Sequence, residues 1–226
     1  MSHQPTEASF LKDVATHEMH VLMDNGLYRH IRFKRPGTGC FHFDLITYPG
    51  FLVYSGDMGC YVFSRLDDMF EFFRTDREHR HMRNGETLAI NLGYWGEKLR
   101  AVDACCKKGS ATELDEDRVK AVINEYRLRW VSDYRHVLNK NDRRELWEEV
   151  EDQVLRCDNA DEMLRAAYEF SRRIGGRSFQ FDDLWDHNFE RFTYHFVWCC
   201  YALAWGVQQY DIAQVGAGGT AVEVAA

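Results

Sequence analysis

At 226 residues the chain is long enough for one large domain, or one domain with a helical extension. With 45% hydrophobic and 14% aromatic residues it can bury a sizeable core, which excludes a chain disordered throughout. Its net charge of −8 argues against broad non-specific nucleic-acid binding, which needs a basic face; a local basic patch, or an acidic decoy for a basic groove, stays compatible with it. The seven cysteines (40, 60, 105, 106, 157, 199 and 200) are odd in number, two pairs are adjacent and no CxxC occurs. That is a poor disulfide or zinc framework, so reduced thiols are expected. The start, MSHQPTEASF, carries no basic-apolar leader. The most apolar run, Phe196 to Val207, has 12 residues, whereas a membrane span needs about 20. The expectation is a soluble, cytoplasmic protein with no membrane partner.

In chain order, residues 17–34 predict a β-hairpin. Asn25-Gly26 suits a type I′ turn, which would set Asp24 opposite Leu27; Leu27, Ile31 and Phe33 mark one face, Tyr28, His30 and Arg32 the other. The loop after Arg32, Lys34 and Arg35 leads into the richest stretch, Cys40 to Arg74. There Phe41, Phe43 and Leu45 alternate with His42, Asp44 and Ile46, turns fall at Tyr48-Pro49-Gly50 and Ser55 to Gly59, and Cys60 to Phe63 returns. The expected result is about five antiparallel strands. Ser64 is read as the cap of a short helix with Leu66, Met69, Phe70 and Phe73 as its apolar stripe. Arg74, Arg77, Arg80 and Arg83 then recur at helical spacing, either as a solvated face or as an anion- or partner-binding patch. Tyr94 and Trp95, between glycines, suit a contact loop or the cover of a sheet edge. Lys98 to Lys108 reads as a helix fragment.

From residue 110 the pattern is helical. The first helix opens at Asp115-Glu116-Asp117, with Val119, Val122, Ile123, Tyr126 and Trp130 inward and Arg127, Arg129 and Arg135 outward. A second spans 142–156, with Leu146, Trp147, Val150 and Val154 inward; a third runs from Ala160 to Ile174 and stops at Gly175-Gly176. Residues 177–187 are read as a loop or short turn, and the last helix runs from about Asn188 to Tyr210. That helix is apolar almost all round, so other helices or a partner subunit must bury it. The expected class is α+β: a sheet with short covering helices over 1–109, a helical region packed on it over 110–211 and a mobile tail over 212–226.

No motif carries recognisable chemistry. There is no phosphate loop, GxGxxG or GxSxG. His17 and His20 lack the HExxH pattern, and Asp182, Asp183, Asp186, His187, Glu190 and His195 lack the ExxH of a carboxylate-bridged bundle. No metal or cofactor is expected. His42, Asp44, Asp57 and Arg65 are the polar residues of the central stretch that could meet around a phosphate-bearing ligand. Arg77, Arg80, Tyr94 and Trp95 complete the candidate ligand- or partner-binding set.

Four blocks carry a resemblance: FLKDVATHEMHVLMDNGLYRHIRFKRPG, YPGFLVYSGDMGCYVFSRLDDMFEFFR, INLGYWGEKL and FVWCCYALAWGVQQYD. Together they resemble an uncharacterised family of accessory proteins of phages and prophages of Gram-negative bacteria, over residues 10–211. The family brings no catalytic residues to carry over. What the resemblance implies is a small protein acting on host machinery or host defence. The expected function is a non-catalytic binder or inhibitor of a host protein, such as a defence nuclease or CRISPR-type complex. A homodimer through the C-terminal helices is the other partner considered. The alternative function is a protein that binds or hydrolyses nucleotides or signalling phosphates.

Overall fold

A computed structural model of the chain describes residues 4–75, 87–103 and 111–219. The fold is α+β, as the pattern of elements predicts. Two compact units form: Ser2–Thr112 with Phe192–Ala226, and Glu113–Arg191. The last helix therefore belongs with the sheet and not with the helical segment before it.

The sheet unit is an antiparallel meander of six strands in sequence order: β1 (Glu18–Asn25), β2 (Tyr28–Lys34), β3 (Phe43–Tyr48), β4 (Phe51–Gly56), β5 (Gly59–Phe63) and β6 (Leu99–Val102). Among the described residues four helices accompany it: α1 (Glu7–Val14), α2 (Met69–Thr75), α3 (Leu92–Gly96) and the long α7 (Tyr194–Gly219). Alternation decides the buried face. Ile31, Phe33, Phe43, Leu45, Leu52, Tyr54, Tyr61 and Phe63 point inward and are fully buried. α7 lies along them, with Phe196 packing on Tyr61 and Phe63, Trp198 on Phe43, and Trp205 on Phe33 and Phe43. Its other sides meet Phe10 of α1 through Trp198 and Tyr201, and Phe70 of α2 through Tyr210. From Phe196 to Ala204 the apolar circumference is thus covered within this unit. Each fully buried ring contributes roughly 1.5–3 kcal/mol. The helix comes so close at Gly206 that an added Cβ would lie 2.8 Å from Leu45 Cδ1 and 3.2 Å from Phe33.

Several local expectations change. The first hairpin turns at Gly26-Leu27, one residue later than Asn25-Gly26; only Gly26 has positive φ (64°), the pattern of a II′ turn. Asn25 then faces Tyr28 and Asp24 faces Arg29, which gains Asp24 a cation at 4.0 Å. α2 begins at Met69 and not after Ser64: the Asp68 carboxylate accepts the Phe70 N–H, while the Ser64 N–H donates to the Lys98 carbonyl. Leu66 is accordingly exposed. That bond to Lys98 belongs to β6, the sixth strand, where a helix fragment was expected. An open edge at β5 outweighs the weak local preference of Leu99-Arg100-Ala101-Val102. α7 starts at Tyr194, after a strand, and continues to Gly219 through residues expected as tail.

The second unit holds α4 (Glu116–Asp133), α5 (Lys140–Val150), a π-helical turn (Glu151–Leu155) and α6 (Ala160–Glu169). β8 (Ser171–Ile174) and β9 (Arg177–Gln180) form a hairpin where a helix end and a loop were expected. Gly175 and Gly176, with φ of 55° and 79°, do not stop a helix; they make the two-residue turn, where both positions need positive φ. The chain passes between the units along β7 (Thr112–Leu114) and β10 (Glu190–Phe192), which pair with each other. The core of this unit is Val119, Val122, Ile123, Leu146, Val150, Val154, Met163, Phe179 and Leu184.

Candidate functional site

The polar residues of the central stretch divide into two groups. Asp44 stands on the outer face of β3, buried against its neighbours on β2. It accepts two hydrogen bonds from Arg32, from Nε and Nη2 at 2.8 Å each, and its Oδ2 lies 2.8 Å from His30 Nε2. Burial pushes this carboxyl up, but the hydrogen bonds and charges of Arg32 and His30 outweigh that and hold it below its ordinary value. So engaged, it orients His30 and is poorly placed to act as a base. Through His30 this trio joins a row across the sheet, Met23, His30, Ile46, Val53, Val62 and Ala101, one residue per strand and apolar apart from the histidine.

His42 and Asp57 meet elsewhere. The Asp57 N–H donates to the His42 carbonyl at 3.0 Å, and the Asp57 carboxylate accepts the Phe41 N–H at 3.1 Å. Phe41 has a φ of 57°, which a non-glycine residue adopts only when its surroundings hold it there. Here Asp57 fixes its N–H, His17 Nε2 lies 3.1 Å from its carbonyl, and its ring stacks on Trp198. Gly56 completes the corner, since a Cβ would lie 2.3 Å from the His42 carbonyl oxygen. Asp57 therefore pins a turn. Arg65 is exposed, with its N–H donated to Met69 Sδ.

Trp95 is fully buried, edge-on to Phe73 at 4.8 Å, so it serves the core and not a contact loop. Its neighbour Tyr94 stays partly exposed, with the Lys98 ammonium 4.4 Å from its ring centre. The short helix α3, capped by Asn91, turns one ring in and the other out. Arg77 and Arg80 lie outside the described residues. Arg74, which opens that basic run, is committed: it grips Asp211 through Nε and Nη2 at 2.7–3.2 Å, with Asp68 at 3.9 Å.

That contact belongs to a network holding the first hairpin to α2 and α7. Arg29 donates to both oxygens of Asp68 at 2.8 and 3.1 Å, over the ring of Phe70. The Tyr210 hydroxyl and Gln214 both donate to Asp24 at 2.9 Å. Burial pushes the Asp68 carboxyl up, and the bonds from Arg29 and the Phe70 N–H overcome it, leaving the group below its ordinary value. The inner side of the hairpin is thereby fixed. Among the described residues nothing covers its outer edge: β1 ends the sheet, and Val21, Leu22 and Met23 are 48%, 52% and 54% exposed. On α7, Ile212 and Val215, flanking Gln214 of this network, are also exposed. No local signal singled these residues out, because an edge strand and a covered one have the same alternation.

In the second unit two expectations reverse. Arg127, expected outside, is 2% exposed, and Trp147, expected inside, is half-exposed over it, with the guanidinium carbon 3.3 Å from the ring centre. Arg127 donates to the Trp147 carbonyl and to the Asn124 side chain, with Glu151 at 3.8 Å. These residues with Lys120, Leu128 and Leu155 line a cleft of about 500 Å³. A second cleft, about 350 Å³, lies between Glu125, Tyr126, Arg129 and His187.

Among the described residues no group of three or more His, Cys, Asp or Glu side chains is placed to hold a metal ion. No helix among them is long and apolar enough to cross a membrane. No protein-family model, curated protein or solved structure matches the chain.

Proposed function

We propose that the chain is a non-catalytic binding protein that docks on another protein through the β1 edge of its sheet. The observation that carries this is the half-exposed apolar triplet Val21-Leu22-Met23 on the outermost strand. An edge strand offers a row of backbone donors and acceptors, a template for another extended chain, and soluble proteins ordinarily blunt such an edge with charge, a bulge or a cover. β1 carries a bulge between Val21 and Met23 but no charge at those positions. The fitting partner segment is an extended strand with apolar residues on alternate positions. In the phage setting that the resemblance implies, the partner is a host protein, with a defence nuclease or CRISPR-type complex as its class, and the meeting place is the host cytoplasm.

The test is affinity capture from a Gram-negative host lysate with wild type and with a Leu22→Lys, Met23→Lys variant, followed by hydrogen exchange on the complex. A stoichiometric partner lost in the variant, with new protection of amides in 18–25, is the expected result. A partner retained equally by the variant, or no stoichiometric partner, overturns the proposal.

A further inference from the structure

Of six tryptophans, Trp185 is the one that stands mostly in water, at 68% exposure. It occupies the middle of a three-residue 3-10 turn, Leu184–Asp186. The turn is anchored on every side. Leu184 is fully buried, and Phe181 and Phe189, which flank it, are buried too. The segment thus presents a large ring outward from a fixed base, where a mobile loop could have folded it inward. Leaving such a ring in water forgoes the burial that would otherwise contribute roughly 1.5–3 kcal/mol.

Carboxylates predominate in the surroundings. Asp182, Asp183 and Asp186 flank the ring, and none of them is in an ion pair among the described residues. Asp182 accepts a hydrogen bond from Gln180, a neutral donor. The adjoining cleft of about 350 Å³ adds Glu125 and Arg129. Four carboxylates against one guanidinium leave a net charge of −3 with His187 neutral. Two rings of its lining, Tyr126 and His187, meet edge to face with centres 5.8 Å apart. Burial, and then the charges of Asp183, Asp182 and Asp186, push the Tyr126 phenol above its ordinary value.

We propose that this turn and cleft form a second docking surface, shaped for a basic segment of a partner protein. Trp185 covers or enters an apolar socket on that segment, and a partner arginine or lysine enters the cleft beside Glu125, Tyr126 and His187. Carboxylates attract such a segment over a Debye length of about 10 Å, aromatic walls favour a cation, and a protruding tryptophan supplies the apolar anchor. The surface is on the other unit from β1 and does not depend on that reading.

The probe is a fluorescein-labelled peptide alternating leucine and arginine, with leucine–serine and leucine–glutamate peptides as controls, followed by anisotropy. Only the leucine–arginine peptide binds the full chain, and it binds at least about fivefold more weakly when salt rises from about 50 mM to about 300 mM. Trp185→Ala weakens it about thirtyfold while Trp185→Phe keeps most of it. The double change Asp183→Asn, Asp186→Asn removes most of the salt dependence. Leu22→Lys changes nothing, so this reading and the β1 reading fail separately. Absence of leucine–arginine binding overturns the proposal, as does equal binding of the leucine–serine peptide or indifference to Trp185→Ala. Light scattering on the chain alone closes the remaining route: self-association abolished by Trp185→Ala would seat a second copy on this surface and overturn the basic partner.

Discussion

α7 and β1 both draw the eye as apolar segments, yet they have opposite fates within one unit. α7 is apolar nearly all round and its residues from Phe196 to Ala204 are buried by the sheet and by α1 and α2. β1 has only a short apolar triplet, and that triplet is half in water. Apolar length alone therefore says little about interfaces. What matters is whether the fold supplies a cover, and here it supplies one to the helix and withholds it from the strand. From Phe196 to Ala204 the need for burial is met inside the unit, whereas Ile212 and Val215 further along the helix stay exposed.

The contrast can be broken at its strong end first. Trp198→Ala removes a fully buried ring that touches Phe10, Phe41 and Phe43 and donates to Asp13. It should cost about 3–5 kcal/mol in urea unfolding. A loss below about 1 kcal/mol would mean that α7 is not packed as described. Arg29→Ala, which leaves Asp68 without its bidentate partner in a partly buried setting, should cost about 2–3 kcal/mol. Gly206→Val, pressed against Leu45 and Phe33, should cost about 1–3 kcal/mol.

Acid tests the clamp more gently. Asp44 and Asp68 are both held below their ordinary values, so each contributes stability that is complete above the unfolded carboxyl value of about 3.9 and is lost as pH falls through the folded value. Urea midpoints should drop as pH falls below about 4, and Asp68→Asn should start lower at pH 5 and drop less. At the weak end, Leu22→Lys should shift stability by no more than about 0.5 kcal/mol, because the side chain is half in water already. A large loss there would show that β1 is covered after all.

Much of the fold could be read from local rules. The meander follows from alternation and from turns at Pro49-Gly50 and around Asp57-Met58, with Gly50 at φ 84° as a turn demands. The capping of α4 by Asp115 and α6 by Asn159 follows from short polar side chains at helix starts. The candidate site was far less legible. His42, Asp44, Asp57 and Arg65 are close in sequence, yet Asp44 turns to β2 and Asp57 to the backbone of Phe41, because cross-strand partners come from other parts of the chain. Trp95 reads the same as Tyr94 between its glycines, and only contact with Phe73 draws it inward.

By itself the sequence determined the α+β class, the consecutive antiparallel strands and the buried character of the last helix, since strand and helix periods and turn glycines act within a few residues. Tertiary structure decided the rest: that Leu99–Val102 joins the sheet, that Arg127 goes under Trp147, that β1 stays uncovered and that Trp185 stands out from a buried base. Each of these depends on which distant surface happens to be free to pair or to cover, and backbone edges and burial are properties of the assembled layers that no local window contains.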